Sequence, residues 1–286
     1  MIYEQRHMEL GGVKVISHFT FTPPLVAASN LDGHGCFIFP INTKGNVYRQ
    51  EGKTNVKSDE GVLLKCGSYV NKWSNADENK LSEVVILRFY PELIRAAIDR
   101  KTLAGAREKA VNRSSAAIVE LDLLMMKYLE SLFFYFDNPQ LISEDIVNLK
   151  LTEIILLLIA NPQPNEISDL LLNLFETKSF GIKQTVDNNL FENLSVEELA
   201  SLCGMSVSTF KRNFKQISGE SPGQYIKNKR LEAAFRLLTD QNRSISEIAY
   251  ETGYSDPNYF SKCFQVKYRL SPSDYQKSLS ISERND

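Results

Sequence analysis

Residues 199–225, LASLCGMSVSTFKRNFKQISGESPGQY, and residues 248–275, IAYETGYSDPNYFSKCFQVKYRLSPSDY, carry one pattern twice. Leu199, Ala200, Gly204, Ser206, Phe210, Arg212, Phe214, Ser221, Pro222 and Tyr225 recur as Ile248, Ala249, Gly253, Ser255, Phe260, Lys262, Phe264, Ser271, Pro272 and Tyr275. The offset is 49 positions before the turn and 50 after it, which assigns the second copy one extra residue at the start of its second helix. Duplication explains this spacing better than coincidence. Each copy reads as a helix, a tight turn and a second helix, an arrangement whose second helix enters the DNA major groove with its early residues against base edges.

The elements follow from the residues. Ser195 with Glu198 three positions on forms a capping box, so a short helix starts at Val196 and buries Leu199, Ala200 and Leu202. Gly204 ends it, because the turn needs left-handed backbone. Ser206 caps the next helix, where Phe210 and Phe214 hold one face to the core and leave Ser208, Lys211, Arg212 and Lys215 on the other. In the second copy Ser246 and Ala249 lie on the first helix, Gly253 makes the turn, Ser255 or Asp256 is the cap, and Pro257 takes the first helical position. Phe260 and Phe264 face inward, and Asn258, Ser261 and Lys262 face out. A solvated helix face accounts for any one of these polar residues alone; repetition of the whole pattern points to a reading face. Between the copies, residues 222–239 read as one helix with Ile226, Leu231, Ala234, Leu237 and Leu238 on an apolar stripe. Its length of roughly 27 Å approaches the about 34 Å rise of a DNA turn, so one connector can set two recognition helices in successive major grooves.

Tyr225, Arg230, Leu231, Ala234, Leu237, Leu238, Ile245, Ile248, Ala249, Gly253, Tyr254, Tyr259, Phe260, Phe264 and Ser271-Pro272 together make residues 190–276 resemble the DNA-binding domain of the AraC/XylS family of bacterial transcription regulators. The resemblance implies base-reading positions at Ser208, Lys211 and Arg212 in the first copy and at Pro257, Asn258 and Lys262 in the second, with Arg230 structural. Two positions depart from the family pattern: Arg269 stands where a glycine is usual and Gln276 where an arginine is usual. Both bear on the geometry of the last turn.

Charge and cysteine usage narrow the class. The 286 residues carry a net charge of −2, enough length for two cores and no bulk basic coat. Residues 190–280 hold 12 Lys+Arg against 10 Asp+Glu, and residues 1–189 hold 20 against 23. Specific double-stranded DNA binding therefore rests on placed contacts. Cys36, Cys66, Cys203 and Cys263 are dispersed, which reads as buried free thiols. No leading apolar stretch resembles a signal peptide and none reaches membrane-spanning length, so a cytoplasmic location is expected.

Residues 1–90 read differently. Runs at 13–22, 25–29, 36–41, 46–50, 61–66, 69–73 and 84–90 are separated by Gly, Asn, Asp and Pro, which predicts antiparallel strands in a sandwich or barrel. The family resemblance implies a small cupin-like barrel. His7, His18 and His34 do not stand at ligand spacing, so no metal and no cofactor is expected. A ligand pocket remains open to such a barrel, with Phe37, Phe39, Tyr48, Tyr69 and Trp73 as walls and Arg49, Lys65 and Lys72 as cations for an anionic effector. Aromatics alternating in strands also serve simply as core.

Helices are predicted at 91–100, 120–136, 143–159 and 167–175, with 101–115 as a connection. The two apolar helices 120–136 and 143–159 offer more surface than a small barrel covers, and by family resemblance they make a homodimer. The expected organisation is α+β: a sensing and dimerisation domain at 1–176, a linker at 177–193 and a DNA-binding domain at 194–280. The expected function is a transcription regulator, an activator working on RNA polymerase, controlled by a small-molecule effector, with a regulatory protein partner as the alternative. An enzymatic reading, a methyl-accepting DNA-repair domain fused to such a module, needs clustered reactive or zinc-bound cysteines near the N-terminus, and Cys36 and Cys66 do not supply them.

Overall fold

The computed structural model describes residues 2–76, 81–91, 114–161, 167, 170–171, 173–174, 180–240 and 242–282. The chain divides into two compact units, Met1–Arg49 with Lys53–Ser179, and Gln50–Gly52 with Phe180–Asp286. The first is a β-sheet unit faced by helices; the second is helical.

In the first unit the strands are β1 (Ile2–Leu10), β2 (Val13–Phe21), β3 (Leu25–Leu31), β4 (Gly35–Ile41), β5 (Thr43–Arg49), β6 (Gly52–Val56), β7 (Glu60–Leu64), β8 (Gly67–Asn75), β9 (Ser82–Phe89) and β10 (Ala116–Glu120). One sheet runs β1-β2-β9-β4-β7-β10 and the other β3-β8-β5-β6. Gly11 and Gly12, at φ +58° and +75°, supply the two left-handed residues of the β1–β2 hairpin turn. Strand β4 is buried along most of its length because both of its faces are covered. Cys36 and Ile38 meet Val47, Tyr69 and Trp73 in the core between the sheets. Phe37 and Phe39 point the other way, into a second core under the helices.

That second core is closed by α1 (Leu123–Asp137) and α2 (Glu144–Ile159). Asp122 caps α1 by accepting from the Met125 N–H, and Ser143 caps α2 by accepting from that of Ile146. Met125, Tyr128, Leu129, Leu132 and Phe136 of α1 and Val147, Leu151, Ile154, Ile155 and Leu158 of α2 pack on Phe37, Phe39, Leu87 and Phe89. The Tyr128 hydroxyl donates to the Lys150 carbonyl at 3.0 Å and ties the helices together. Burial pushes that hydroxyl well above its usual pKa, so it stays a donor. Neither α1 nor any other helix of the described residues is long and apolar enough to cross a membrane.

The elements differ from expectation at several points. Strand β1 is mostly polar and pairs only with β2, so it lacks the apolar alternation that marks a half-buried strand. Strand β6 alternates, but only Val56 is buried. Glu120, expected to open a helix, instead ends β10 against β7, because Asp122, two positions on, is the N-cap of α1. The predicted helix 91–100 and the connection 101–115 fall almost wholly outside the described residues; of 167–175, Ile167, Leu170, Leu171 and Leu174 are buried in the helix-side core, and 168–169, 172 and 175 lie outside the described residues. The expected linker 177–193 contains a helix, α3 (Ile182–Asn188), whose Thr185 and Val186 are buried in the second unit.

The second unit continues with α4 (Val196–Leu202), α5 (Val207–Ser218), α6 (Pro222–Leu237), α7 (Ile245–Glu251), α8 (Pro257–Tyr268) and α9 (Pro272–Ser282). It has two small cores. Val186, Leu199, Ala200, Phe210, Phe214 and Tyr225 make one. Leu231, Ala234, Leu238, Ile248, Ala249, Phe260 and Phe264 make the other. Helix α6 feeds both, Tyr225 near its start and Leu231 and Ala234 farther along, so the two helix pairs hang from one rod of about 24 Å.

Candidate functional site

The two helix pairs of the second unit repeat the same capping and turn bonds up to the start of the second helix. Helix α4 opens with the Ser195/Glu198 capping box, and α7 opens with a second one, Ser244/Glu247, that the sequence reading passed over. After each, the chain turns at a left-handed glycine, Gly204 at φ +63° and Gly253 at φ +82°. The Met205 N–H donates to the Ala200 carbonyl at 2.9 Å and the Tyr254 N–H to that of Ala249 at 2.9 Å, the long bond of a Schellman turn. Ser206 caps α5, and Asp256 rather than Ser255 caps α8, its Oδ1 accepting from the Asn258 N–H at 2.8 Å. Ser255 is therefore the additional residue of the second copy, and it lies in the turn.

Arg230 on α6 locks this arrangement. Its guanidinium donates to three carbonyls, Nε to Leu190 at 2.8 Å, Nη1 to Gly253 at 2.7 Å and Nη2 to Glu192 at 2.8 Å. The fork thus holds the chain entering α4 and the turn of the second pair to the same rod. A side chain at Gly253 would bring a Cβ to 2.6 Å from the Phe191 carbonyl, so glycine is required there by space as well as by φ. At the first pair, the Tyr225 hydroxyl donates to Asp187 Oδ1 at 2.7 Å, and Lys183 pairs with Asp187 Oδ2 at 2.8 Å, which anchors α3. The two family departures are absorbed locally. Arg269 takes the left-handed C-cap of α8 at φ +65°, the place Gly219 holds on α5 at φ +82°. Gln276 Nε2 donates to the carbonyls of Asp240 at 3.2 Å and Arg243 at 3.0 Å.

What remains outside is a polar face on each second helix. Ser208, Lys211, Arg212 and Lys215 are exposed on α5, opposite buried Phe210 and Phe214. On α8, Asn258 and Lys262 are exposed and Pro257 is half-buried, opposite Phe260 and Phe264. Equivalent positions show an asymmetry. Lys211 and Lys215 correspond to Ser261 and Gln265, so only Arg212, matched by Lys262, keeps its cation. Exposed Tyr259 and Gln265 extend the α8 face beyond the residues expected from sequence.

The first unit carries a different feature, two adjoining cavities of about 190 Å³ each between its sheets. They share Ser29, Ile38, Asn71, Ile86 and Arg88. Of the expected effector residues, Trp73 lines one cavity. Phe39 does not, because its side of β4 faces the helices, where it stacks with Tyr128 at 6.2 Å. Lys72 lies over the ring of Tyr48 at 5.4 Å. Arg49 is buried and donates to Ser114 Oγ at 2.9 Å, and Lys65 is buried too. None of these three cations lines either cavity; Arg88 does. The three histidines keep separate company, His7 with Ser17, His18 with Arg6 and Glu83, and His34 stacked on Tyr90.

The profile of the ExsA N-terminal regulatory domain matches residues 35–178, and that of a helix-turn-helix domain matches residues 199–278. The chain belongs to the AraC/XylS family of transcription regulators. An uncharacterized HTH-type transcriptional regulator of Haemophilus influenzae is 43% identical over 86 residues, 30% of this chain and 29% of that protein. The transcriptional activator RhaS of Mannheimia succiniciproducens is 31% identical over 99 residues, 35% of this chain and 37% of its own. The chain therefore spans well under two thirds of the length of these relatives. Among solved structures, the DNA-binding domain of AdpA in complex with a target DNA aligns with 37% of the chain and 95% of that domain at 28% identity and a TM-score of 0.35. ToxT from Vibrio cholerae with bound unsaturated fatty acid covers 92% of the chain and 94% of its own at 15% identity and a TM-score of 0.34.

Within this AraC/XylS chain the two residues that shape the helical module have opposite expected effects. Arg230→Ala removes three hydrogen bonds to backbone carbonyls, of which only that of Glu192 keeps a second donor, the Leu194 N–H, and should destabilise the second unit by about 3 kcal/mol, read as a lower urea midpoint. Arg269→Gly removes the strain of a left-handed arginine and should raise stability by roughly 1 kcal/mol in the same assay.

Proposed function

We propose that the protein is a sequence-specific DNA-binding transcription regulator that reads two successive major grooves, with the second helices α5 and α8 as recognition helices. The observation that carries this is the exposed polar face that both helices present after matching left-handed glycine turns, held in one module by Arg230. Ser208, Lys211, Arg212 and Lys215 read or position one half-site, and Pro257, Asn258 and Lys262 the other. With three cations on α5 against one at the matching positions of α8, the first half-site supplies most of the phosphate attraction and the second more neutral hydrogen bonding. The reading includes no catalysis. The likeness to RhaS, an activator, supports activation and hence contact with RNA polymerase.

The first unit serves as a cupin-like regulatory domain. A cavity between its sheets favours a small-molecule effector over a protein partner as the controlling input. The outer faces of α1 and α2 favour a homodimer: Leu123 is 73% exposed, Leu124 63%, Phe134 55% and Leu149 63%, large apolar groups left uncovered on two adjoining helices. A second copy of the same face would cover them as an isologous contact.

Arg212→Ala and Lys262→Ala should each weaken specific binding by about 1–3 kcal/mol and relax base preference at separate half-sites about one turn apart. Footprinting with selected DNA checks both, and unchanged affinity and preference in either variant would take that residue off the reading face. Sedimentation should give a dimer for the full chain at micromolar concentration and a monomer for Leu149→Glu combined with Leu123→Glu.

A further inference from the structure

We infer that the cavity of the first unit binds a compact carboxylic acid bearing a second polar group with an O–H or N–H, its carboxylate on Arg88 and its donor on Asn71 Oδ1. The inference rests on the reading of this unit as the effector-binding domain and specifies the chemistry of its ligand. Asn71, on β8, is only 5% exposed and lies on the wall of both cavities. Its Nδ2 donates to Ser29 Oγ at 3.2 Å, but its Oδ1 is buried without a hydrogen-bond partner. A buried acceptor left this way carries an uncompensated desolvation cost that a ligand donor entering the cavity would cancel. This acceptor selects a ligand that can give a proton to a hydrogen bond there.

Arg88 faces the same space from β9, in the opposite sheet. Its Nη1 donates to Ser17 Oγ at 2.7 Å, and no carboxylate pairs with it among the described residues. A guanidinium with a neutral partner on the wall of a cavity is suited to a planar anion, which it meets through two parallel N–H bonds. Cys36 is also on that wall but supplies no charge, since burial pushes its thiol up to about 12. The rest of the lining includes Phe21, Trp73 and Ile86, an apolar surface that disfavours a ligand hydroxylated all round. Each cavity is smaller than the roughly 300–1,000 Å³ of drug-sized sites, which selects a compact body over a long chain.

Trp73 is the only tryptophan of the chain and lies on the cavity wall, so its fluorescence reports occupancy in the intact protein. The probes are the hydroxycyclohexanecarboxylate isomers, cyclohexanecarboxylate and cyclohexanediol, none of which absorbs with tryptophan. At least one hydroxy acid should change Trp73 emission saturably and bind about tenfold or more tightly than either the plain acid or the diol, the loss expected for one hydrogen bond to a charged or buried group. Arg88→Gln should remove the advantage of acids over the diol, Arg88→Lys should restore part of it, and Asn71→Leu should remove the advantage of the hydroxy acid over the plain acid. The comparison of ligands on the unaltered protein decides the matter even where a variant fails to fold. Silence of Trp73 toward every acid, or equal binding of the hydroxy acid and the diol, overturns the proposal. Tighter binding of the diol than of any acid overturns the ligand class and leaves effector control standing. A hydroxy acid that saturates the cavity without altering affinity of the full chain for its selected DNA keeps the ligand class and overturns effector control.

Discussion

Three carbonyl oxygens converge on one guanidinium, and the second unit is organised around that fact. The carbonyls of Leu190, Glu192 and Gly253 belong to segments that lack a regular helical partner for them, and Arg230 satisfies all three from the middle of α6. Burial holds Arg230 below its usual pKa, but the arginine range lies so far above neutrality that the cation persists. A lysine, with no planar fork, would not reach three fixed acceptors at once. The consequence is geometric. The entry to the first helix pair and the turn of the second are referred to one residue, so the separation of their exposed faces is set by a rigid helix and not by a flexible connection. Reading two grooves of a stiff polymer depends on that separation.

In the first unit the governing constraint is strand parity. Strand β4 is covered on both faces, so its alternate residues serve two different cores: Cys36 and Ile38 line the space between the sheets, while Phe37 and Phe39 sit under α1 and α2. A shift of one position exchanges the roles of every side chain. The same parity puts Asn71 and Trp73 of β8 on the cavity and sends Lys72 to the other side, over Tyr48. Strand order then does the rest. Because β9 lies between β2 and β4, Arg88 is delivered to the inner wall beside residues more than seventy positions earlier, such as Ser17.

These two constraints differ in how far the sequence discloses them. The helical unit was legible because its determinants are local: a cap, a glycine at the turn and a pair of phenylalanines four apart, each within about twenty residues. Even what was passed over, Ser244 with Glu247, stood 49 positions after Ser195 and Glu198 and could have been found by continuing the repeat. The helix α3 was hidden because residues 182–188 carry only two strongly apolar anchors, Ile182 and Val186, among polar groups, too short a run to establish a helical period. The strands of the first unit were visible as runs, but not which face of each was wet, ligand-lined or under a helix. A strand buried on both faces has no polarity alternation from which parity can be taken. Lys65, Lys72 and Arg49, expected as cavity cations, line neither of the two cavities described, whereas Arg88 and Asn71 come from opposite sheets and share a cavity wall only through strand order.

The duplication also shows how one scaffold supports two unequal exposed faces. Apart from the added Ser255 and the change of N-cap from Ser206 to Asp256, what fixes backbone geometry is retained between the copies: the capping boxes, the left-handed turn residues, the inward phenylalanines and the left-handed C-cap, even where the latter is an arginine. What changed lies on the exposed face, where Lys211 and Lys215 have Ser261 and Gln265 as counterparts. Folding constrains the buried half of each helix, and only contact with a partner constrains the other half. Divergence confined to the outer face leaves the module intact while altering the balance between phosphate attraction, which is indifferent to sequence, and base-edge hydrogen bonding, which is not. Under the proposed reading, the more cationic first helix is suited to capture and the more neutral second helix to discrimination, with α6 and Arg230 holding the two at one separation.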